Sequence, residues 1–204
     1  MEFGNFGGCV TAIGRAPRVT TKSAHKAASD RSHIVGYATR WLKPHAHPKT
    51  GDIEVFLAGC FARSLTGHKA IRFLCGHREA NLVATSADDL ELATDDEGLA
   101  FRLRIPHTEM GSEVRNLVRY GQADQMSVGY TVEVDHWKTI DGTRVRIIAD
   151  ASLNEISLVE CGAVPGTFAA FDDGQHKAFS SNLKMRFASY KVQRSLFALA
   201  RAMA

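Results

Sequence analysis

Between His33 and Glu160 the chain is a succession of short β-rich runs bounded by Gly, Asp, Asn or Pro, and this punctuation restricts its fold more than any other feature. The runs are HIVGYATRW, AIRFLC, NLVAT, DLELAT, GLAFRLRI, QMSVGYTVEV, TRVRIIAD and LNEISLVE. Branched and aromatic side chains pack well on a pleated surface, and turn residues end each run, so these segments read as strands. So many strands predict an α+β chain built on a mostly antiparallel, β-barrel-like sheet with a few flanking helices. One helix is expected around residues 58–65. A second is expected over residues 108–120, where Thr108 can cap, Glu109 suits the first turn, and Met110, Val114, Leu117 and Val118 share one face before Gly121 stops it.

Charge divides the chain into three parts. Residues 1–32 carry five Lys/Arg against two acids, residues 33–173 carry 14 against 20, and residues 174–204 carry six and no acid. These shifts predict a mobile basic arm over 1–32 with one short strand around Cys9 to Ile13, a folded domain over 33–173, and a basic tail over 174–204. The tail follows the loop FDDGQHK and reads as partly helical from about Asn182 to Met203. Basic ends suit nucleic acid or an acidic protein surface, and equally a solvated tail with no dedicated partner. No apolar run approaches the length of a membrane span, and MEFGNFGGCV lacks the charged start and apolar core of a secretory signal, so neither export nor a membrane is expected. Cys9, Cys60, Cys75 and Cys161 form no C-x-x-C pair, which predicts reduced thiols. His45 and His47 in PHAHP are weakly spaced for zinc and no second ligand pair follows, so no metal or other cofactor is expected.

Three stretches carry candidate chemistry. In QMSVGYTVEV, Met126, Val128, Tyr130, Val132 and Val134 fall on one strand face and Ser127, Gly129, Thr131, Glu133 and Asp135 on the other. Ser127 is thus directed away from the apolar face, beside a glycine that lets another backbone or a peptide approach closely. A polar residue on an exposed strand face satisfies the same pattern. A serine hydroxyl becomes a nucleophile only when a base takes its proton. Of nine histidines, most lie among polar or turn residues and read as surface groups, His45 and His47 included, and His107 reads as a loop or capping residue before the second helix. His77 differs, because it closes AIRFLCGH where the chain leaves the core, a position that fixes the ring with one edge accessible. In LNEISLVE, Ile156 and Leu158 share one face while Leu153, Glu155, Ser157 and Val159 share the other, so Glu155 is an acid among apolar neighbours. It is either an edge-strand glutamate reaching water or a carboxylate met by a cationic or hydrogen-bonding group, such as an imidazole that becomes charged during acyl transfer.

In their order and spacing these pieces resemble the prohead proteases of tailed bacteriophages, a family related in fold to the herpesvirus capsid-maturation proteases. The resemblance runs from about His33 to Phe171. It includes the GYA strand (Gly36 to Ala38), the helix start at Gly59, Cys60 and Phe61, the strand closing at His77, Gly98 with Leu99, the helix before Gly121, and the S-V-G-Y and E-I-S-L-V segments. It implies a serine endopeptidase with Ser127 as nucleophile, His77 as base and Glu155 as third member. The herpesvirus proteases are similar in placing a histidine third, followed by a Gly-rich loop ending in Gly-Thr. Here residues 162–167 read GAVPGT and lack the arginines those relatives use near the oxyanion, which leaves backbone N–H groups at Val128, Gly129 and Gly162 as candidate donors.

The biology implied is cleavage of scaffold, or of the scaffold-like arm of the major capsid protein, and of the protease itself. This would take place inside the prohead shell in the host cytoplasm. Apart from the resemblance, six cationic residues without an acid suit the tail to docking the enzyme on shell or scaffold. The herpesvirus relatives further suggest a homodimer. The alternative is a non-catalytic β-rich phage head protein or nucleic-acid-binding structural module.

Overall fold

Ten strands and two helices form within residues 32–172, the part of the chain that the computed structural model describes. In chain order they are β1 (His33–Arg40), β2 (His45–Ala46), β3 (Ile53–Phe56), α1 (Ala62–Thr66), β4 (Arg72–Cys75), β5 (Arg78–Thr85), β6 (Leu90–Thr94), β7 (Gly98–Arg104), α2 (Glu109–Arg119), β8 (Gln125–Ile140), β9 (Thr143–Val159) and β10 (Phe168–Phe171). The strand near Cys9 and the helix near Asn182 lie outside the described residues.

The strands divide into a four-stranded sheet, ordered β10-β1-β7-β6, and a six-stranded sheet ordered β2-β3-β9-β4-β5, with β8 also paired to β9. No ladder among the described residues joins the two into a closed barrel. Antiparallel pairs dominate, but β3 and β4 both run parallel to β9, each along a different stretch of it. Both sheets feed one apolar core: Ile34, Leu99, Phe101 and Leu103 from the first meet Phe56, Phe73, Met126, Ile148, Ile156 and Leu158 from the second. Each of these side chains is fully buried, and burial of a large apolar side chain contributes about 1.5–3 kcal/mol.

TRVRIIAD and LNEISLVE, which the sequence reading kept apart, are one 17-residue strand, β9. It pairs with the 16-residue β8 along nearly its whole length. Asp141 and Gly142 close this hairpin at φ 49° and 79°, the two positive values that a two-residue turn of matching twist requires. Both strands stay paired over such a length by admitting extra residues. Asn154 has no partner between the pairs Gly129–Glu155 and Tyr130–Leu153. That irregularity overrides strict alternation, so Leu153 sinks into the core with Ile156 and Leu158 while Glu155 and Ser157 face the opposite side.

The second helix forms as expected, with Thr108 Oγ1 accepting from Gly111 N–H at 3.0 Å and Val114 buried. The first is shorter and later than expected: Phe61 is its N-cap, and the ring packs against Trp41, Phe56 and Tyr130. Burial of Phe61 anchors that turn more than helix propensity does.

Candidate active site

His77 is placed by a tight turn. Cys75 and Arg78 pair across β4 and β5, leaving Gly76 and His77 as a two-residue loop with φ 66° and 59°. Positive φ at both positions gives a hairpin turn whose twist matches its strands, and glycine takes the first without steric cost. Three contacts peg the loop to β9. Gly76 N–H donates to Leu158 O at 2.9 Å, His77 N–H donates to Ser157 Oγ at 3.2 Å, and His77 Nδ1 lies 2.7 Å from Glu155 Oε1. A carboxylate only accepts, so in the neutral ring Nδ1 carries the proton and Nε2 keeps the lone pair. The side chain is 43% exposed, which leaves an edge open to an incoming group. The hydrogen bond to Glu155, opposed by desolvation, holds the imidazole pKa above its ordinary 6.5.

Glu155 is not an edge-strand glutamate reaching water. β9 is central here, with β4 on one side and β8 on the other, and the residue is 7% exposed. Its two oxygens are separately engaged, Oε1 by the imidazole and Oε2 by the Ser157 hydroxyl at 2.6 Å. The carboxylate leans across the sheet onto β8: a Cβ placed on Gly129 would lie 2.3 Å from Oε1 and 2.9 Å from Cγ. Only a glycine leaves room for this side chain.

Ser127 lies two residues before Gly129 on that strand, directly across from Ser157, half-buried and on the same sheet face as Glu155. The fold thus brings all three predicted residues to one face. His77 and Glu155 are bonded, whereas no hydrogen bond joins Ser127 to His77 in this structure. Ser157, the serine that does contact the pair, is fully buried and donates to a carboxylate, so neither a substrate carbonyl nor a base can reach it. Cys75 is no substitute nucleophile, since burial pushes its thiol up and away from the thiolate.

The steric role of Gly129 yields a separable prediction. Gly129→Ala displaces the Glu155 side chain from Cγ outward and meets no backbone atom among its nearest contacts, so the fold should survive while the carboxylate leaves the imidazole. Cleavage is expected to fall on the order of 100-fold, as for small displacements of catalytic groups, with little change in thermal midpoint; steady-state kinetics alongside a melting curve read both.

Ladder geometry sorts the three backbone donors considered for an oxyanion. Gly162 N–H is taken, donating to Gln125 Oε1 at 2.9 Å, which removes it from the candidates. Met126 N–H points away from β9, to Thr167 Oγ1 at 3.3 Å. Antiparallel pairs alternate, so the N–H of Ser127 and Gly129 turn into the β9 ladder and that of Val128 turns to the opposite edge of β8. That edge has no ladder partner among the described residues. Gln125, Thr167 and the close fit of Gly162 against Met126 O and Thr167 Oγ1 bind the 160–167 loop beside the start of β8.

One histidine departs from its expected surface position. His45 sits in β2, 7% exposed and stacked on Phe56 at 5.1 Å between ring centroids, where burial lowers its pKa. Aromatic packing explains it. Among the described residues no cluster of three His, Cys, Asp or Glu could hold a metal ion, and no helix is long and apolar enough to cross a membrane.

A histidine held by a buried carboxylate, on one sheet face with a serine, is the equipment of an acyl-transfer hydrolase. A family model described as the caudovirus prohead serine protease matches residues 18–181, and the chain belongs to that family of capsid-maturation proteases. No curated protein matches it. Among solved structures it is similar to the varicella-zoster virus protease, at 14% identity, over 84% of this chain and 77% of that one, with a TM-score of 0.41.

Proposed function

We propose that the chain is a serine endopeptidase that cleaves scaffold, or the scaffold-like arm of the major capsid protein, and also itself, inside the prohead. Membership of the prohead protease family supports the substrate class. The observation that carries the chemistry is the Glu155 carboxylate, bonded to His77 Nδ1 while lying over Gly129 beside Ser127. Nε2 takes the Ser127 proton as Oγ attacks a peptide carbonyl. The tetrahedral oxyanion is met by Val128 N–H at the open edge of β8. The proton then passes from Nε2 to the leaving amine, and water, activated by the same ring, releases the acyl group. Rotation of the Ser127 hydroxyl and closure of the exposed ring onto it complete the arrangement when substrate binds, as catalytic hydrogen bonds often tighten only in the complex.

Co-expression with the capsid and scaffold proteins of the same phage, followed by intact-mass measurement, tests this reading. Shortened capsid or scaffold chains and a shortened protease are expected; full-length partners at every stage of assembly would point to a non-catalytic head protein.

Glu155→Gln removes the negative charge without changing the shape. Turnover is expected to fall on the order of ten-thousand-fold, by analogy with the loss of the orienting acid elsewhere. The sign of the pH effect follows from the bond that raises His77. Catalysis needs the neutral ring, so the acid limb of kcat/KM lies above pH 6.5 in the parent and should move to lower pH in the variant, which a pH–rate profile resolves.

A further inference from the structure

From its contacts we infer that Ser157 is a positioning residue for catalysis, one hydroxyl that fixes both the base and the acid. This rests on the catalytic reading above and deepens it.

The hydroxyl has one donor, and a carboxylate can only accept, so its proton goes to Glu155 Oε2 at 2.6 Å. Its lone pair in turn receives the backbone N–H of His77 at 3.2 Å. No other side chain among the described residues is shown bonded to both a ring-bearing backbone and the carboxylate that holds the ring. The position is buried completely, beside the Gly76–His77 loop, so bulk water does not compete for the hydroxyl's bonds.

Each bond answers a specific need. Glu155 has two acceptor oxygens and the imidazole engages one; unrestrained, the carboxylate can rotate and draw the ring with it. Binding Oε2 fixes that rotation and leaves Oε1 aimed over Gly129. His77 holds φ 59°, a conformation uncommon outside glycine, and Ser157 Oγ is the protein acceptor that its N–H meets. The hydroxyl thus locks the strained turn and the acid to the same atom of β9. Ser157 lies directly opposite Ser127 in the β8–β9 register, so the backbone that presents the nucleophile is also the one against which base and acid are referenced.

Full-length parent, Ser127→Ala, Ser157→Ala, Ser157→Thr and Ser157→Val chains test the role. Ser157→Ala is expected to lower kcat on the order of 10- to 100-fold, the range of one lost hydrogen bond to a charged group, with KM nearly unchanged. Thr and Val have nearly the same shape and differ in the hydroxyl, so they control for folding and packing if the alanine chain is unstable. Threonine should restore most of kcat and valine should not. An independent reading comes from the Ser127→Ala background by NMR, where the proton on His77 Nδ1 should broaden or move when Ser157 loses its hydroxyl and return with threonine. Equal kcat for the threonine and valine chains, or an unaltered His77 resonance, would overturn the role. Retained cleavage by Ser127→Ala would instead overturn the catalytic reading beneath it, and the two failures are distinct.

Discussion

Ser127→Ala is expected to lower peptide cleavage on the order of a million-fold, the loss seen when a nucleophile is removed from comparable triads, while the melting curve stays close to that of the parent. The fold should tolerate it because the Ser127 side chain is half-buried and makes no hydrogen bond that the strand needs. Its position in β8 is kept by fifteen register pairs with β9 and by Met126 in the core. The chemistry should not tolerate it. Ser157 is buried and committed to Glu155, and Cys75 is held in the thiol form by burial, so neither can take over the attack. Residual activity from the oxyanion donor and bound substrate alone should remain above the uncatalysed rate. The measurement is single-turnover cleavage of a capsid-arm peptide.

Removing the base should cost as much. His77→Asn is the instructive replacement because asparagine tolerates the φ of 59° that the turn imposes, whereas alanine would add backbone strain to the loss of the ring. Cleavage is expected to fall on the order of a million-fold, and the double variant Ser127→Ala/His77→Asn should be no slower than either single one, because residues that act as a unit do not contribute additively. The backbone bonds from Gly76 and residue 77 to β9 should persist. Hydrogen exchange at Gly76 therefore separates loss of the base from loss of the turn.

Much of the frame was legible because punctuation and periodicity are local. The runs at β1, β4, β6 and β7 and the capped helix α2 needed only their own residues to be recognised. The short strands β2 and β3 escaped notice because pairing with each other and with β9 makes them strands, and four residues such as IEVF carry little signal alone. The Asp141–Gly142 pair is a two-residue hairpin signal flanked by strands, and it went unread among the runs on either side. His77 and Glu155 were recognisable as a histidine at a strand end and an acid among apolar residues. That β9 is central, and that the extra residue Asn154 turns Glu155 away from Leu153, depend on partners far along the chain. Ser157 gave no signal because a serine on a strand face is ordinary, and its role exists only once the Gly76–His77 loop covers it. Gly129 was seen as room for a neighbour, and the neighbour is the Glu155 carboxylate.

An organophosphonate that forms a bond from phosphorus to an activated serine oxygen, followed by peptide mapping, reads directly whether His77 and Glu155 make Ser127 reactive. One label on the peptide bearing Ser127, absent in His77→Asn, is the expected result. A label on another residue, or labelling of Ser127 that is undiminished without the imidazole, would contradict it.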